Sequence, residues 1–237
     1  MSKLVKTILI TGASSGIGKS ILELLASEGH NIIFTYNRRK SVANKLIKKL
    51  RKKNNKIFSY KIDLEKHREI DKLFSFVSKK FKKVDCLINN AAYFVQRKNF
   101  QNLSLNHAKK VMDINYFAVF KLCQLFTKLN KKNNHWKSII NITSTAAKFG
   151  GLKFTHYAPT KAALENLTIG LSRELSSRKI RVLNIAPGII DTRNLLFKGK
   201  KSNINKIIST IPSQRLGQPV EVANLVNFLI DDNANYI

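Results

Sequence analysis

Short apolar runs alternate with amphipathic stretches along the whole chain. Lys6 to Thr11 is β-branched and apolar and ends in a glycine-rich turn. Ile17, Ile21, Leu22, Leu24 and Leu25 then recur at spacings of three and four, which predicts a helix stopped by Gly29. The same alternation continues with a strand at Asn31 to Tyr36, a helix at Lys40 to Lys53 and a strand at Ile57 to Ile62. It goes on through a helix at Arg68 to Phe81, a strand opening at Cys86-Leu87-Ile88 and a long helix near Leu105 to Leu129. Ser138 to Thr143 is a strand, Tyr157 to Ser177 a helix, Arg181 to Ile185 a strand and Val220 to Ile230 a helix. Continuously apolar strands separated by helices predict a parallel sheet covered on both faces. Right-handed crossovers make this a doubly wound, Rossmann-type α/β fold. No linker or repeat interrupts it, so residues 1–237 are expected to form one dinucleotide-binding domain. Arg193 to Ser213 lacks a strand, and its Ser, Asn and Lys content predicts a mobile insertion of the kind that closes over a substrate.

Composition narrows the class. The chain is 43% hydrophobic and 24% charged, with only 10 Gly and 4 Pro, and no apolar run reaches the length of a membrane span. Cys86 and Cys123 sit in apolar stretches and read as core residues, consistent with a reducing cytoplasm. Lys and Arg total 43 against 14 Asp and Glu, a formal charge of +29. Such an excess can serve nucleic acid or an acidic partner. Here the cations are spread over the chain, from Lys48-Lys49 through Lys79-Lys80 and Lys131-Lys132 to Lys198–Lys201, without an interleaved aromatic platform. That pattern predicts solvated surface and no specific nucleic-acid site. His30, His67, His107, His135 and His156 show no ligand spacing, so no metal is expected. His156, beside Tyr157, reads as an exposed loop residue.

Candidate chemistry gathers at two places. Thr11-Gly12-Ala13-Ser14-Ser15-Gly16-Ile17-Gly18 joins the first strand to the first helix. Its glycines allow a tight turn and a close approach of a pyrophosphate to the helix N-terminus. After the second strand, Asn37-Arg38-Arg39-Lys40 carries three cations and no carboxylate. A 2′-phosphate suits Arg38 and Arg39, which favours NADP(H) over NAD(H). Tyr157 and Lys161 lie four apart on one helix face, where an ammonium is expected to lower the phenol pKa and make Tyr157 an acid/base. Ser144 follows the fifth strand at its carboxyl end, where ligands bind in such sheets. Asn115, inside the long helix, is unfavourable there unless its amide is hydrogen-bonded.

Together these residues resemble the short-chain dehydrogenase/reductase family over Lys6 to Ile237. The resemblance rests on Thr11 to Gly18, Asp63-Leu64, Asn89-Asn90-Ala91-Ala92, Asn115, Ser144, Tyr157, Lys161, and Pro187-Gly188-Ile189-Ile190-Asp191-Thr192. It implies reversible carbonyl/alcohol interconversion with a nicotinamide cofactor. Tyr157 would be the proton donor, Lys161 its pKa modulator and ribose contact, Ser144 the residue orienting the substrate oxygen, and Asn115 the holder of a relay water. It also implies that Gly12, Ser14, Ser15, Gly16, Ile17 and Gly18 hold the cofactor, that Asp63 and Leu64 meet the adenine, and that Asn90, Ala91, Pro187, Gly188, Ile190 and Thr192 line the rest.

Three departures stand out. Ala92 replaces the usual glycine, Pro159 falls inside the Tyr-x-x-x-Lys stretch, and the family's final edge strand beyond Tyr236-Ile237 is expected to be missing. The nearest resemblance is to bacterial glucose-dehydrogenase-like members, with a sugar, polyol or small carbonyl as substrate. Alternatively, it is to 3-oxoacyl-carrier-protein reductases, in which Lys131, Lys132 and Arg173 would meet an acidic carrier. The pocket itself is expected to include Tyr93, Phe94, Phe149 and Phe154. A cofactor-binding protein with impaired catalysis is the non-enzyme alternative. The resemblance implies a homo-oligomer, a dimer more than a tetramer if the last strand is absent.

Overall fold

In a computed structural model of the chain, residues 4–51, 55–94, 99–131, 133–192 and 201–237 are described. Six parallel strands form one sheet: β1 (Thr7–Ile10), β2 (Asn31–Tyr36), β3 (Ile57–Lys61), β4 (Cys86–Asn89), β5 (Lys137–Ile142) and β6 (Ile180–Ile185). Their order is β3-β2-β1-β4-β5-β6, so the chain reverses direction across the sheet between β1 and β4. This is the expected doubly wound arrangement, with its ligand crevice at the carboxyl ends of the central strands.

The strands read as unbroken apolar runs because both faces are covered. Ile8, Ile10, Ile32, Phe34 and Ile88 point to one side, and pack with α1 (Gly16–Ser27), α2 (Lys40–Leu50) and α9 (Pro219–Ile230). Leu9, Ile33, Leu87 and Ile139 point to the other, against α3 (His67–Lys80), α5 (Ala118–Leu129) and α7 (Ala158–Leu175). Alternation along each strand therefore divides one apolar run between two cores. The buried Arg181 guanidinium donates to the carbonyls of Leu229 (2.8 Å) and Ala234 (2.7 Å), tying the end of α9 to the sheet. Cys86 and Cys123 are buried free thiols, as expected.

Several boundaries differ from the sequence pattern. The second helix ends at Leu50, because Arg51 turns extended and its guanidinium donates to the Ile57 carbonyl (3.0 Å). Lys52 and Lys53 lie outside the described residues. The long helix is a continuous path of α4 (Leu105–Met112), a π-helical turn (Asp113–Phe117) and α5. One wide turn swings Asn115 inward, where it is fully buried. Pro159 does not kink its helix: α7 starts at Ala158, and a proline in the first turn removes no helical hydrogen bond. Ala92 avoids the left-handed backbone that would have penalised it. Of the expected insertion, residues 193–200 lie outside the described residues, and residues 201–208 form α8 (Lys201–Ile208). Two further helical pieces are α6 (Ala146–Phe149), which lines the site, and the 3₁₀ turn Phe100–Asn102. No described helix is long and apolar enough to cross a membrane.

Candidate active site

The carboxyl ends of the strands open into a cleft of about 800 Å³. Gly12, Ser14, Ser15, Gly16 and Ile17 line it, as do Arg38, Arg39, Asp63 and Leu64. So do Asn90, Ala91, Ser144, Tyr157, Lys161, Pro187, Gly188, Ile190 and Thr192. Two residues from the sequence reading act behind this surface, Gly18 under the turn and Asn115 behind the β4 loop.

The turn after β1 is tied from three sides. The Gly12 amide donates to Thr35 Oγ1 on β2 (3.1 Å), and Ala13 N–H to the Thr35 carbonyl (3.0 Å). Asn90, after β4, donates from its side chain to the carbonyls of Thr11 (2.9 Å) and Gly12 (3.2 Å). Thr11 Oγ1 in turn accepts the amides of Asn90 (3.0 Å) and Ala91 (3.1 Å). Gly12 has φ +69°, and a Cβ there would stand 2.8 Å from Ala91 Cα. Helix α1 begins at Gly16 with no side chain capping its N-terminus and no acidic residue in its first turn. Its leading amides are thus left for an external anion, and its dipole favours one. These features fit the diphosphate of a dinucleotide.

A Cβ on Gly18 would lie 2.4 Å from Asn90 Nδ2 and 2.7 Å from the Gly12 carbonyl oxygen. Gly18→Ala is therefore expected to displace the turn and weaken dinucleotide binding more than tenfold. Gly170→Ala, where an added Cβ meets nothing within 4 Å in the exposed middle of α7, is expected to stabilise the chain by about 0.5–1 kcal/mol. Cofactor titration and thermal melts of both variants check this; unaltered binding by Gly18→Ala would contradict the account of the turn.

At the other end of the cleft, Ser144 follows β5 and lines the same wall as Tyr157, its hydroxyl near enough to favour ionisation of the phenol. The Ala146 amide donates to Ser144 Oγ (3.2 Å) and helps fix the hydroxyl. Tyr157 immediately precedes α7, and Lys161 lies one turn in. Lys161 Nζ donates to the Ile142 carbonyl at the end of β5 (2.8 Å) and sits 5.7 Å from the centroid of the Tyr157 ring.

Burial corrects the expected electrostatics. Tyr157 is pushed up to about 12 by removal from water, partly opposed by the neighbouring Ser144 hydroxyl, and is not lowered. Burial likewise pushes Lys161 down to about 8. With its ammonium engaged by a carbonyl and itself disfavoured by desolvation, Lys161 does not offset the loss of hydration at the phenol.

Asn115 belongs to the same framework. Its Oδ1 accepts the Tyr93 amide (2.7 Å), while Nδ2 donates to the Tyr93 carbonyl (3.3 Å) and to Thr160 Oγ1 (3.2 Å). The amide joins the loop after β4 to the start of α7, answering the question posed by an asparagine within an apolar helix. His156 is also corrected: it is buried, and its ring lies 5.4 Å from that of His107 on α4. The turn leading into α7 folds down onto α4, which removes the residue from solvent. Lys131 and Arg173 are exposed near the carboxyl ends of α5 and α7, beside the amino ends of β5 and β6 and across the sheet from the cleft. They do not flank its mouth within this chain. Lys132 lies outside the described residues.

The short chain dehydrogenase family pattern matches residues 6–202, most of the length over which the turn, the Ser-Tyr-Lys group and the loops around them are laid out. This chain belongs to that family. It is an oxidoreductase of the short-chain dehydrogenase/reductase type. A 3-oxoacyl-[acyl-carrier-protein] reductase of Staphylococcus epidermidis is 34% identical over 98% of this chain and 94% of its own. A short chain dehydrogenase from Burkholderia cenocepacia in complex with NADP superposes with a TM-score of 0.91 at 26% identity, covering 100% of this chain and 95% of that one. A 3-ketoacyl-(acyl-carrier-protein) reductase from Brucella melitensis complexed with NADH gives 0.88 at 26% identity, over 98% and 93%.

Some residues of this dehydrogenase's cleft were not singled out from its sequence. Thr35 is one; its signal was a polar residue inside the apolar run Ile32 to Tyr36. Thr11, buried behind the cleft wall, is read from the sequence only as the start of the glycine turn. Glu65 and Lys110 are ion-paired at the cleft's edge, and Lys110 lies 5.6 Å from the Tyr93 ring centroid. They come from separate elements, so no local spacing announced them.

Proposed function

We propose that this dehydrogenase is an NADP(H)-preferring enzyme interconverting a carbonyl and a secondary alcohol, within one dinucleotide-binding domain spanning the chain. The observation that carries this reading is the gathering of Ser144, Tyr157 and Lys161 in the same cleft as the uncapped turn that starts at Gly12. The bound nicotinamide would supply or accept the hydride. Tyr157, a neutral phenol at pH 7, would give its proton to the carbonyl oxygen, and Ser144 would hold that oxygen in line. Lys161 would bind the cofactor's ribose and pass protons to Tyr157, with a water near Asn115 completing the route. Asp63 and Leu64 would meet the adenine, and Ile190 and Thr192 the nicotinamide end.

The phosphate preference rests on Arg38 and Arg39, which line the cleft after β2 where no carboxylate follows the strand. An arginine paired with a phosphate contributes roughly 1.5–3 kcal/mol. Fluorescence titration should show tighter binding of NADPH than of NADH, and Arg38→Ser/Arg39→Ser should weaken NADPH about 10–100-fold with little effect on NADH. Equal affinities in the unsubstituted chain would defeat the preference. The Staphylococcus identity favours a second reading, reduction of a 3-oxoacyl thioester on an acyl carrier. Turnover of an acetoacetyl thioester well above that of simple ketones would select it.

A further inference from the structure

Beyond the reacting hydroxyls, the cleft is built from rings. The Phe94 and Phe154 centroids are 5.2 Å apart, with planes tilted by 33°, and the Phe94 ring meets Tyr157 edge-on at 5.0 Å and 82°. Phe154 stands 6.1 Å from Tyr157, so the three rings form a triangle of aromatic side chains. Phe94 is 39% exposed and Phe154 only 8%, so one ring presents a surface to the cleft while the other backs it.

The backbone holds this triangle firmly. Asn115 clamps both the amide and the carbonyl of Tyr93, the residue before Phe94. On the other side, the Phe154 carbonyl accepts the amides of Tyr157 and Ala158, both at 2.9 Å, which fixes the Phe154–Tyr157 relation at the start of α7. A Cβ on Gly151 would come 3.0 Å from the Phe154 ring, so the glycine leaves room for it.

Charge lies elsewhere in the cleft. Arg38 and Arg39 follow β2, Asp63 and Glu65 follow β3, and Lys110 is paired with Glu65. β2 is three strands from β5, roughly 14 Å. Among the described residues, the polar side chains that line the cleft with Ser144 include the hydroxyls of Thr145 and Tyr157, the Asn90 amide, which is committed to the Thr11 and Gly12 carbonyls, and the Lys161 ammonium, which is committed to the Ile142 carbonyl. A polyol held there would find few uncommitted partners among the described residues, and each unpaired hydroxyl is a loss in affinity. A flat ring would complete the aromatic packing.

We infer that the substrate is a carbonyl compound bearing an aromatic ring close to the carbonyl, and that Phe94 is the specificity-determining residue that selects it. This rests on the carbonyl–alcohol reading above and adds the substrate class. The test compares NADPH-dependent reduction of phenylacetone and cyclohexylacetone, whose carbonyls are insulated from their rings and so are of similar intrinsic reactivity. NADP-dependent oxidation of ribitol is measured beside them, as is NADPH binding.

An aromatic pair geometry contributes about a three- to tenfold preference beyond buried area. The unsubstituted enzyme should show that advantage in kcat/KM for phenylacetone, with ribitol poorer than either ketone. Phe94→Leu, which keeps an apolar side chain but removes the ring, should bring the ratio close to one. A ratio at or below one in the unsubstituted enzyme overturns the inference, and so does preferred oxidation of ribitol or a ratio unchanged by Phe94→Leu. Reduction of neither ketone by a chain that binds NADPH overturns it while leaving the cofactor site standing. Failure to bind NADPH defeats the reading on which it rests, and the inference with it.

Discussion

Tyr157→Phe is expected to lower carbonyl reduction about 10³-fold while leaving NADPH affinity within a factor of two or three of its starting value. The substitution removes one oxygen and keeps the ring, so the Phe94 and Phe154 contacts at 5.0 and 6.1 Å have no reason to change. What goes is the proposed proton donor. A well-placed general acid typically contributes 10²–10⁴-fold, and among the described residues no second donor stands in the same position: the Ser144 hydroxyl is fixed by the Ala146 amide. Burial pushes the Tyr157 phenol up to about 12, so it stays protonated throughout neutral pH. Reduction should therefore vary little between pH 6 and 8 on account of Tyr157, whereas alcohol oxidation, which needs the phenolate, should rise with pH over the alkaline range. Steady-state rates in both directions, with cofactor titration of the variant, check this. Retained reduction in Tyr157→Phe would remove Tyr157 from the proton-donor role.

What could be read from the chain divides along a physical line. Interactions local in sequence were visible. The apolar runs gave every strand to within a residue or two, since a buried parallel strand must be apolar on both faces. The glycines at 12, 16 and 18 marked a turn because their roles depend on missing side-chain atoms. Tyr157 and Lys161 were legible as a pair because a helix brings residues four apart together. The misreadings depended on long-range packing. From the sequence His156 reads as an exposed loop residue, but contact with α4, some fifty residues away, buries it. The phenol was expected to be lowered by a nearby ammonium, but desolvation dominates, and nothing in the Tyr-x-x-x-Lys spacing reports how dry the site is. Asn115 posed its question in the sequence, while its answer, the Tyr93 backbone, required the π-helical turn. Lys131 and Arg173 looked suited to a partner until the helix direction placed them at the opposite end of the sheet.

Lys161→Met should produce the largest divergence between stability and function: almost no turnover, yet a more stable fold at pH 7. The ammonium is buried at the end of β5, and its pKa falls from the ordinary 10.5 to about 8 because the charged form is desolvated. Below pH 8 folded and unfolded chains both carry the proton, so the full penalty for burying the charge is present. Between pH 8 and 10.5 the unfolded chain keeps a proton that the folded chain has released, and stability rises with pH. Above 10.5 the contribution is constant and the penalty is gone. The shift corresponds to about 3 kcal/mol at neutral pH. Methionine has similar length and no charge, but it also leaves the Ile142 carbonyl without its 2.8 Å donor, a loss of about 1–2 kcal/mol. The net gain at pH 7 should be about 1–2 kcal/mol, and it should reverse sign as the pH approaches 10. Tyr157 acts in the opposite sense, destabilising the fold between its ordinary 10 and about 12, so the comparison is best confined to pH 7–10. Denaturant unfolding of the two chains across that range measures the difference directly. A variant less stable than the parent at pH 7, or a difference that does not change with pH, would contradict a buried ammonium at this position. The expected result would explain why a buried cation persists there: in the proposed mechanism it serves the proton at Tyr157 and the cofactor's ribose, functions that a well-packed methionine cannot perform.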